Sequence, residues 1–517
     1  MKNTSPLQLM FLGTASDVGK SVIAAAFCRI LFRKGYSVSP FKAQNMALNS
    51  FVTMDGREMG RAQVFQAYAA GVLPDADMNP VLLKPASKTK IQVIVQGKVQ
   101  KSSTAQEYYS MKQRVTPAIM ESFCRLRERF TAIVLEGAGS LTELNLKKRD
   151  VVNLPMARAA GAPVVIVADI DRGGVFASCV GTMKLLSRRE KKLVIGFIIN
   201  KFRGDKTLFA DGVKIIEKLT GKPVLGVVPF FRDIHLQEED SVALHMGKKG
   251  KKTRTASVRI GVVHLPYISN YTDFDPLEAE DDVSLCYTQN PDELEEMSIV
   301  IIPGTKNTIE DLLWLLDQDF GQSLKRHVRS GKTLVGICGG FQMLGNVIED
   351  PLGVETDKSS VKALGYLDVS TVLQPNKTLT QVKARCLLEG MRTVQEKPLD
   401  VEGYEIHMGK STLGSGASPA FAVKPGAENT AEYGDGAFSA SFPVWGTYIH
   451  GLFENDDFRA AFLHVHGGKH NEKFCYREYL NDQFDKLADF VSAHVAVDQI
   501  ITRAEEFRLK VVPGFAR

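Results

Sequence analysis

The segment Thr333-Leu-Val-Gly-Ile-Cys338-Gly-Gly-Phe-Gln-Met-Leu-Gly345 combines an apolar run, a cysteine at its end and flanking glycines. Thr333 to Ile337 reads as a short buried strand and Phe341 to Leu344 as the first turn of a helix. Cys338 therefore falls on a tight strand-to-helix turn. Gly336, Gly339 and Gly340 are expected to supply the backbone freedom of that turn. Such a turn exposes the sulfur and aims helix N–H groups at it, which favours the thiolate and can stabilise an oxyanion. A buried core cysteine is the plainer reading, but the Gly-x-Cys-Gly-Gly setting favours a nucleophile. A nucleophilic cysteine needs a base. His450, in Thr447-Tyr-Ile-His450-Gly-Leu-Phe at the end of a late strand, fits that role better than His464, His466 or His470, which lie in polar sequence. Pro303-Gly304-Thr305 follows the apolar run Ser298 to Ile302, and its N–H groups, with that of Gly339, can form an oxyanion hole.

A second centre opens the chain. The apolar strand Leu7 to Leu12 leads into Gly13-Thr-Ala-Ser-Asp-Val-Gly-Lys20-Ser21 and then a helical run, Val22 to Phe32. Strand, glycine loop and helix in that order bind phosphates. Backbone N–H groups of the loop (Gly13, Thr14 and Gly19 among them) wrap the phosphates, Lys20 neutralises the outer ones, and the Ser21 hydroxyl can bind magnesium. Polar residues stand at further strand tips: Lys42 after Ser37 to Phe41, Glu136 after Ala132 to Leu135, Asp169 and Asp171 after Pro163 to Ala168, Asn200 after Leu193 to Ile199. In a parallel sheet those carboxyl ends are where ligands bind, and Glu136 could be a second magnesium ligand or hold a water. Glu58 to Gly71 reads as a helix.

These two centres need separate cores. At 517 residues, with 44% hydrophobic and 24% charged residues, the chain suits two to four soluble domains. Apolar periodicity lapses between about Phe231 and Arg259, and a second α/β unit begins at Ile260. Beyond about Gly468 the pattern is helical, with Phe474, Tyr479, Phe484, Leu487 and Phe490 as the apolar stripe. Part of the net charge of +5 sits in Lys248 to Arg254, a basic run without interleaved aromatics, which argues for a solvated linker rather than nucleic-acid binding. Seven scattered cysteines without a Cys-x-x-Cys pair argue against disulfides or structural zinc and suit a reducing cytoplasm. The N-terminus does not read as a signal peptide, and no apolar run approaches the ~18 residues of a spanning helix. Oligomeric state is not encoded in any of these features.

The loop Gly13 to Ser21, with five residues between its glycines, resembles that of dethiobiotin synthetase and its relatives, which phosphorylate carboxylates. Cys338, His450 and Gly304 together resemble the class I (triad) glutamine amidotransferases. In those enzymes the elbow cysteine attacks the glutamine side-chain amide, forms a glutamyl thioester and releases ammonia. Their usual pattern has a carboxylate two residues after the histidine, where this chain has Leu452; Glu454 lies four residues on. The group that orients His450 is therefore unassigned.

An ammonia source joined to a carboxylate-phosphorylating site implies an amidoligase. From about Met10 to Phe453 the chain closely resembles the cobyric acid synthase family of cobalamin biosynthesis. The matching stretches are Phe41 to Met46, Gly60 to Gln63, Met78 to Pro85, Glu136 to Ser140, Ala168 to Phe176, Ile199 to Asp205, Ile268 to Leu277 and Gly403 to Gly409. The resemblance implies an α/β fold of two doubly wound, mostly parallel-sheet domains. One is P-loop NTPase-like (1–232), the other class I amidotransferase-like (259–460), with a linker at 233–258 and a helical tail at 461–517. It also implies ATP, Mg2+ and glutamine as reactants, and amidation of the b, d, e and g carboxylates of adenosylcobyrinic acid a,c-diamide. Cys338 and His450 would carry the glutaminase step, and Gly13 to Ser21 the triphosphate. Asn200 would read adenine, and Ser21, Glu136 and Glu58 (or, in place of the last, Asp55) would hold magnesium. Lys42 would polarise the carboxylate, and Asp169 to Arg172 is a candidate corrinoid strip. Two alternatives stand beside this reading: cobyrinic acid a,c-diamide synthase, and a partitioning or metal-carrier ATPase. Phe41 to Met46 and the Asp-Ile-Asp-Arg-Gly-Gly run favour the four-fold amidase over the first, and the Cys338–His450 pair has no place in the second.

Overall fold

Short apolar runs bounded by glycine loops form the strands of two parallel sheets. A computed structural model describes residues 6–85, 90–104, 107–108, 112–231, 234, 256–392, 397–425, 431–469 and 474–511. The basic run Lys248 to Arg254, nearly all of the expected linker and His470 lie outside the described residues. In the N-terminal half six parallel strands run in the order Val224–Pro229, Val194–Phe202, Val164–Asp169, Leu7–Gly13, Ala132–Glu136, Val38–Phe41. Leu7–Gly13 is buried along its whole length, as a central parallel strand covered on both faces must be. The helix Lys20–Arg33 follows directly from the phosphate-type loop.

The C-terminal half repeats the logic. Val283–Thr288, Val258–Val263, Ile299–Ile302, Thr333–Ile337 and Val444–Thr447 pair in parallel. Short antiparallel strands, Ala437–Ser439 and Ala417–Ser418, extend the edge. Both halves are doubly wound α/β units, as expected. A second sheet, built on the long hairpin Val369–Cys386 and Asp400–Leu413, lies beside this one.

Three local readings change. Glu58 to Gly60 is not helical but a short strand paired with Ser50–Val52, and the helix starts only at Arg61. The late strand expected before His450 is split: Val444–Thr447 stays in the parallel sheet, while Ile449–His450 joins the second sheet opposite Tyr404 and Glu405. The expected boundary at 460 cuts the helix Asp456–Val465, whose Phe458, Ala461 and Phe462 belong to the C-terminal core.

The tail forms two helices, Tyr476–Ser492 and Val497–Val511, that return to the N-terminal half. Phe484, Leu487, Val491 and Ile500 enter the core beneath Lys20–Arg33, with Phe484 and Phe65 rings 4.7 Å apart. Arg29 grips Asp485 through two 2.8 Å bonds. Leu487→Ala should cost about 2–5 kcal/mol, read as a lower denaturation midpoint for the N-terminal half, while Asp485→Ala should cost about 1 kcal/mol or less because its side chain is partly exposed.

Candidate active site

Cys338 ends the buried strand Thr333–Ile337 and begins the helix Gly339–Leu344. Its own backbone, at φ 51 and ψ −107, carries the sharp turn, a conformation L-residues hold only when their surroundings enforce it. The glycines serve a different purpose from the one expected. A Cβ on Gly340 would stand 1.9 Å from Ile302 O, and one on Gly336 would stand 2.7 Å from Gly340 C. They are small so that the helix can lie directly on the sheet, not because they turn the chain.

His450 approaches from the second sheet, 1% exposed. Its Nδ1 lies 2.6 Å from Asp273 Oδ2, and Asp273 Oδ1 accepts the Gly451 N–H at 3.1 Å. Its Nε2 is buried with no hydrogen-bond partner; the Cys338 thiol donates to Ile406 O at 3.6 Å and acts on the imidazole electrostatically. The third member of the set is thus Asp273, in the turn Tyr271–Phe274, some 177 residues before the histidine. Neither downstream position supplies it. Leu452 is buried in the core, and Glu454 accepts from Arg61 of the other half at 2.7 Å. The available signal was the pair of aspartates, Asp273 and Asp275, inside Ile268 to Leu277.

Burial alone would strip His450 of its proton, but the Asp273 carboxylate, helped by the Cys338 thiol, outweighs that and raises the imidazole to about 10. A protonated His450 beside the Cys338 sulfur can act as the acid, through Nε2–H, for a nucleophilic attack by that sulfur. Tyr404 stacks on the imidazole, with centroids 5.4 Å apart. Gly304 sits against the pair: a Cβ there would come within 3.3 Å of His450 Cε1 and 3.7 Å of Cys338 Cβ. Gly339 faces the neighbouring Thr305, whose N lies 3.3 Å from where its Cβ would be. Both expected oxyanion positions therefore border the thiol.

The two halves of the chain meet at this site. Asn270, at φ 53 and three residues before Asp273, accepts from Ser50 N at 3.0 Å and donates its N–H to Asn49 Oδ1 at 2.7 Å. A small cavity of ≈ 50 Å3 joins Cys338, His450 and Gln342 to Lys84 of the N-terminal half. Glu58, expected as a magnesium ligand, lies here instead. Its two oxygens accept from Lys84 at 3.1 Å and from Lys377 at 2.7 Å, and the lysines hold the buried carboxyl down at about 2. The reassignment follows from Glu58 being in a strand rather than a helix. Asp55 is not an alternative ligand either, since it is half exposed and paired with Arg57.

The phosphate-loop centre is more compact. Ser21 Oγ donates to Glu136 Oε1 at 2.8 Å, Lys42 Nζ to the same oxygen at 3.0 Å, and Gln66 Nε2 to Oε2 at 2.6 Å. Lys20 Nζ donates to Ala15 O and Gly139 O. Asn200 lies under the loop, donating to Val18 O at 2.9 Å, close enough that a Cβ on Gly19 would strike it. A hydroxyl and one carboxylate side by side fit magnesium, which takes one or two protein carboxylates and completes its shell with phosphate and water. Among the described residues no group of three or more His, Cys, Asp or Glu gathers to hold a metal unaided. The expected corrinoid strip is otherwise engaged: Asp169 pairs with Lys201 at 2.9 Å and Asp171 with Arg203 at 2.5 Å.

Asp273→Asn should lower glutamine-dependent turnover by about 10²–10⁴-fold and leave ammonia-dependent turnover intact. The sign follows from the raised imidazole. Its contribution is complete below the ordinary histidine value near 6.5 and is lost only as pH rises through about 10. The alkaline limb of the glutamine profile should therefore lie above pH 9 in the native enzyme and move toward neutrality in the variant. Glu58→Gln leaves two buried lysines uncompensated and should cost about 3–5 kcal/mol of stability. The magnesium dependence of the ammonia-driven reaction should not change, which separates the observed placement from a metal-ligand role.

Comparisons with known proteins agree with this geometry. Residues 9–242 match a family described as the CobQ/CobB/MinD/ParA nucleotide binding domain, and residues 259–458 one described as the CobB/CobQ-like glutamine amidotransferase domain. The cobyric acid synthase of Syntrophobacter fumaroxidans is 49% identical over 504 residues, covering 95% of this chain and 97% of that one. Those of Clostridium botulinum (ATCC 19397) and Citrobacter koseri are each 46% identical, over 95% and 97% of this chain and 98% and 99% of theirs. With a cysteine nucleophile in one half and a phosphate loop in the other, the chain belongs to the cobyric acid synthase family, a family of glutamine-dependent ligases.

Proposed function

We propose that the chain amidates the b, d, e and g carboxylates of adenosylcobyrinic acid a,c-diamide, using ATP with magnesium and ammonia drawn from glutamine. The observation that carries this reading is the cavity shared by Cys338 and Lys84, one residue from each half. It sets the ammonia source against the half that would activate the carboxylate. In the C-terminal half the Cys338 thiolate attacks the glutamine amide carbon, and the N–H groups of Gly304 and Gly339 receive the developing oxyanion. His450 Nε2 gives its proton to the departing ammonia, and Asp273 keeps the other proton at Nδ1. Water then hydrolyses the thioester to glutamate.

In the N-terminal half the loop Gly13 to Ser21, with Thr14, Gly19 and Lys20, would hold the triphosphate. Ser21 and Glu136 would hold magnesium, whose chemistry when bound is to neutralise charge on the transferring phosphoryl group. Asn200, seated beneath the loop, would meet the adenine edge. Lys42, already 3.0 Å from Glu136, would draw the substrate carboxylate to the phosphoryl group, and ammonia would displace phosphate from the acyl phosphate to give the amide.

A cavity of ≈ 550 Å3 beside this loop is suited to the corrinoid. Met46, Leu83, Leu141 and Leu146 give it apolar lining, and Arg149, Arg158 and Arg189 stand among Glu143, Asp150 and Glu190 in its charged lining; the apolar part suits a flat macrocycle and the arginines its carboxylates. Gly139 and Ser140 belong both to its lining and to the phosphate-loop contacts. This cavity stands beside Asp169 to Arg172 as a place to look for corrinoid contacts.

Cys338→Ala should abolish glutamine-supported amidation while ammonium salts still drive it; an unchanged glutamine-supported rate would sink the reading. Mass spectrometry of the corrinoid product should count four amides added, where two would indicate the a,c-diamide synthase reaction.

A further inference from the structure

The cavity at Cys338 contains an uneven set of charges. Lys84, Lys306 and Lys377 line it together with Glu355. Lys84 and Lys377 share Glu58 behind them, but among the described residues no carboxylate comes within ion-pair distance of Lys306. Its neighbourhood is unfavourable for a cation: burial lowers its affinity for the proton first, and the Lys377 ammonium lowers it further. Crowding of this kind marks a place that lacks an anion.

Glu355 has the opposite lack. It accepts from Thr308 N at 2.7 Å and Ile309 N at 3.2 Å, burial pushes its carboxyl up to about 7 against the pull of Lys306, and among the described residues no cation closes an ion pair with it. It is tied to the elbow as well, because Thr308 Oγ1 lies 3.4 Å from Glu355 Oε1 and donates to Gln342 Oε1 at 3.0 Å. Lys306 and Glu355 influence each other electrostatically but do not close as an ion pair. An amino-acid zwitterion carries both missing charges.

Resting on the amidotransferase reading, the geometry points to Lys306 as the seat of the α-carboxylate and Glu355 as the seat of the α-ammonium of the L-glutamine whose amide reaches Cys338. Two head-group charges and one reacting carbon make three fixed points, enough to select one enantiomer and to exclude amides without the head group. Because Lys84 and Glu58 come from the N-terminal half, the docked halves set the field that the α-carboxylate meets.

The test uses the full-length enzyme with L-glutamine, its α-methyl ester and its des-amino analogue, 4-carbamoylbutyrate. Release of the deamidated acid gives the rate for each, and ammonia-driven amidation reports an intact fold. A charged hydrogen bond contributes about 1.5–3 kcal/mol, so Lys306→Met should raise KM for L-glutamine by about 10- to 100-fold. KM for the ester, which has no carboxylate to lose, should stay within about twofold on the same reasoning. Glu355→Gln should weaken L-glutamine and leave the des-amino analogue unmoved. Equal losses on the full and truncated substrates would mean that both residues serve only the fold, and would overturn the assignment. Should a variant also lose ammonia-driven activity, the native enzyme decides: a clear preference for glutamine over both analogues supports the assignment, and equal use of all three overturns it. Failure of the parent reading would look different, as deamidation that survives Cys338→Ala.

Discussion

The contact between Asp273 and His450 is a buried charge pair, and it exists only while the turn that carries Asp273 keeps its shape. Taking a carboxylate and an imidazolium out of water is costly unless each has the other at hydrogen-bond distance. Here the separation is 2.6 Å and the second carboxylate oxygen accepts the Gly451 N–H. The turn is fixed from outside its own half. Asn270 sits in the left-handed region and is held by Asn49 and by the backbone of Ser50, so the protonation of the base depends on contacts made by the nucleotide-binding half.

Those contacts continue inward without a break. Arg61 N donates to Asn49 O at 3.2 Å and opens the helix Arg61–Ala69. Gln66, on the same helix, donates to Glu136 at the phosphate loop. On the other flank Asn79 bridges Gly60 N and Lys42 O at 3.0 and 3.1 Å. Two turns of helix and one short strand pair thus separate the residues that would meet phosphate from those that hold the glutaminase base. A short buried helix and a strand pair link the two sites.

Features that depend on neighbours in sequence were legible, and those that depend on distant partners were not. The strand Leu7–Gly13 with its loop and helix, and the elbow at Cys338, are each written in one continuous stretch of sequence. The acid of the triad was not, because its partner is 177 positions away and its signal, one of two aspartates in a mixed stretch, resembles a helix cap. Glu58 misled for a related reason: a glutamate before Arg-Ala-Gln has helical propensity, but pairing of Ser50–Val52 with Glu58–Gly60 overrides it. Burial against Lys84 and Lys377 then gives that carboxylate a role no local pattern encodes. The glycines of the elbow were legible as necessary but not for their reason, since the close approach of Gly340 to Ile302 is a property of the sheet and not of the turn.

The position two residues after the histidine shows why the acid had to move. Leu452 is 1% exposed and packs with Phe453 in the C-terminal core. A carboxylate there would lose apolar packing, and its charge would be buried away from water. With Asp273 in its place the acid reaches His450 from the opposite side, through a turn that the other half braces. The next acid along, Glu454, is spent on Arg61, which is itself 3% exposed and opens the helix leading to Glu136. Of the two positions that could have served the histidine locally, one is a core leucine and the other is used at the contact between the halves. In this chain the turn that carries the histidine's acid is braced by the docked N-terminal half, and a C-terminal half standing alone would lack the Asn49 and Ser50 contacts to Asn270.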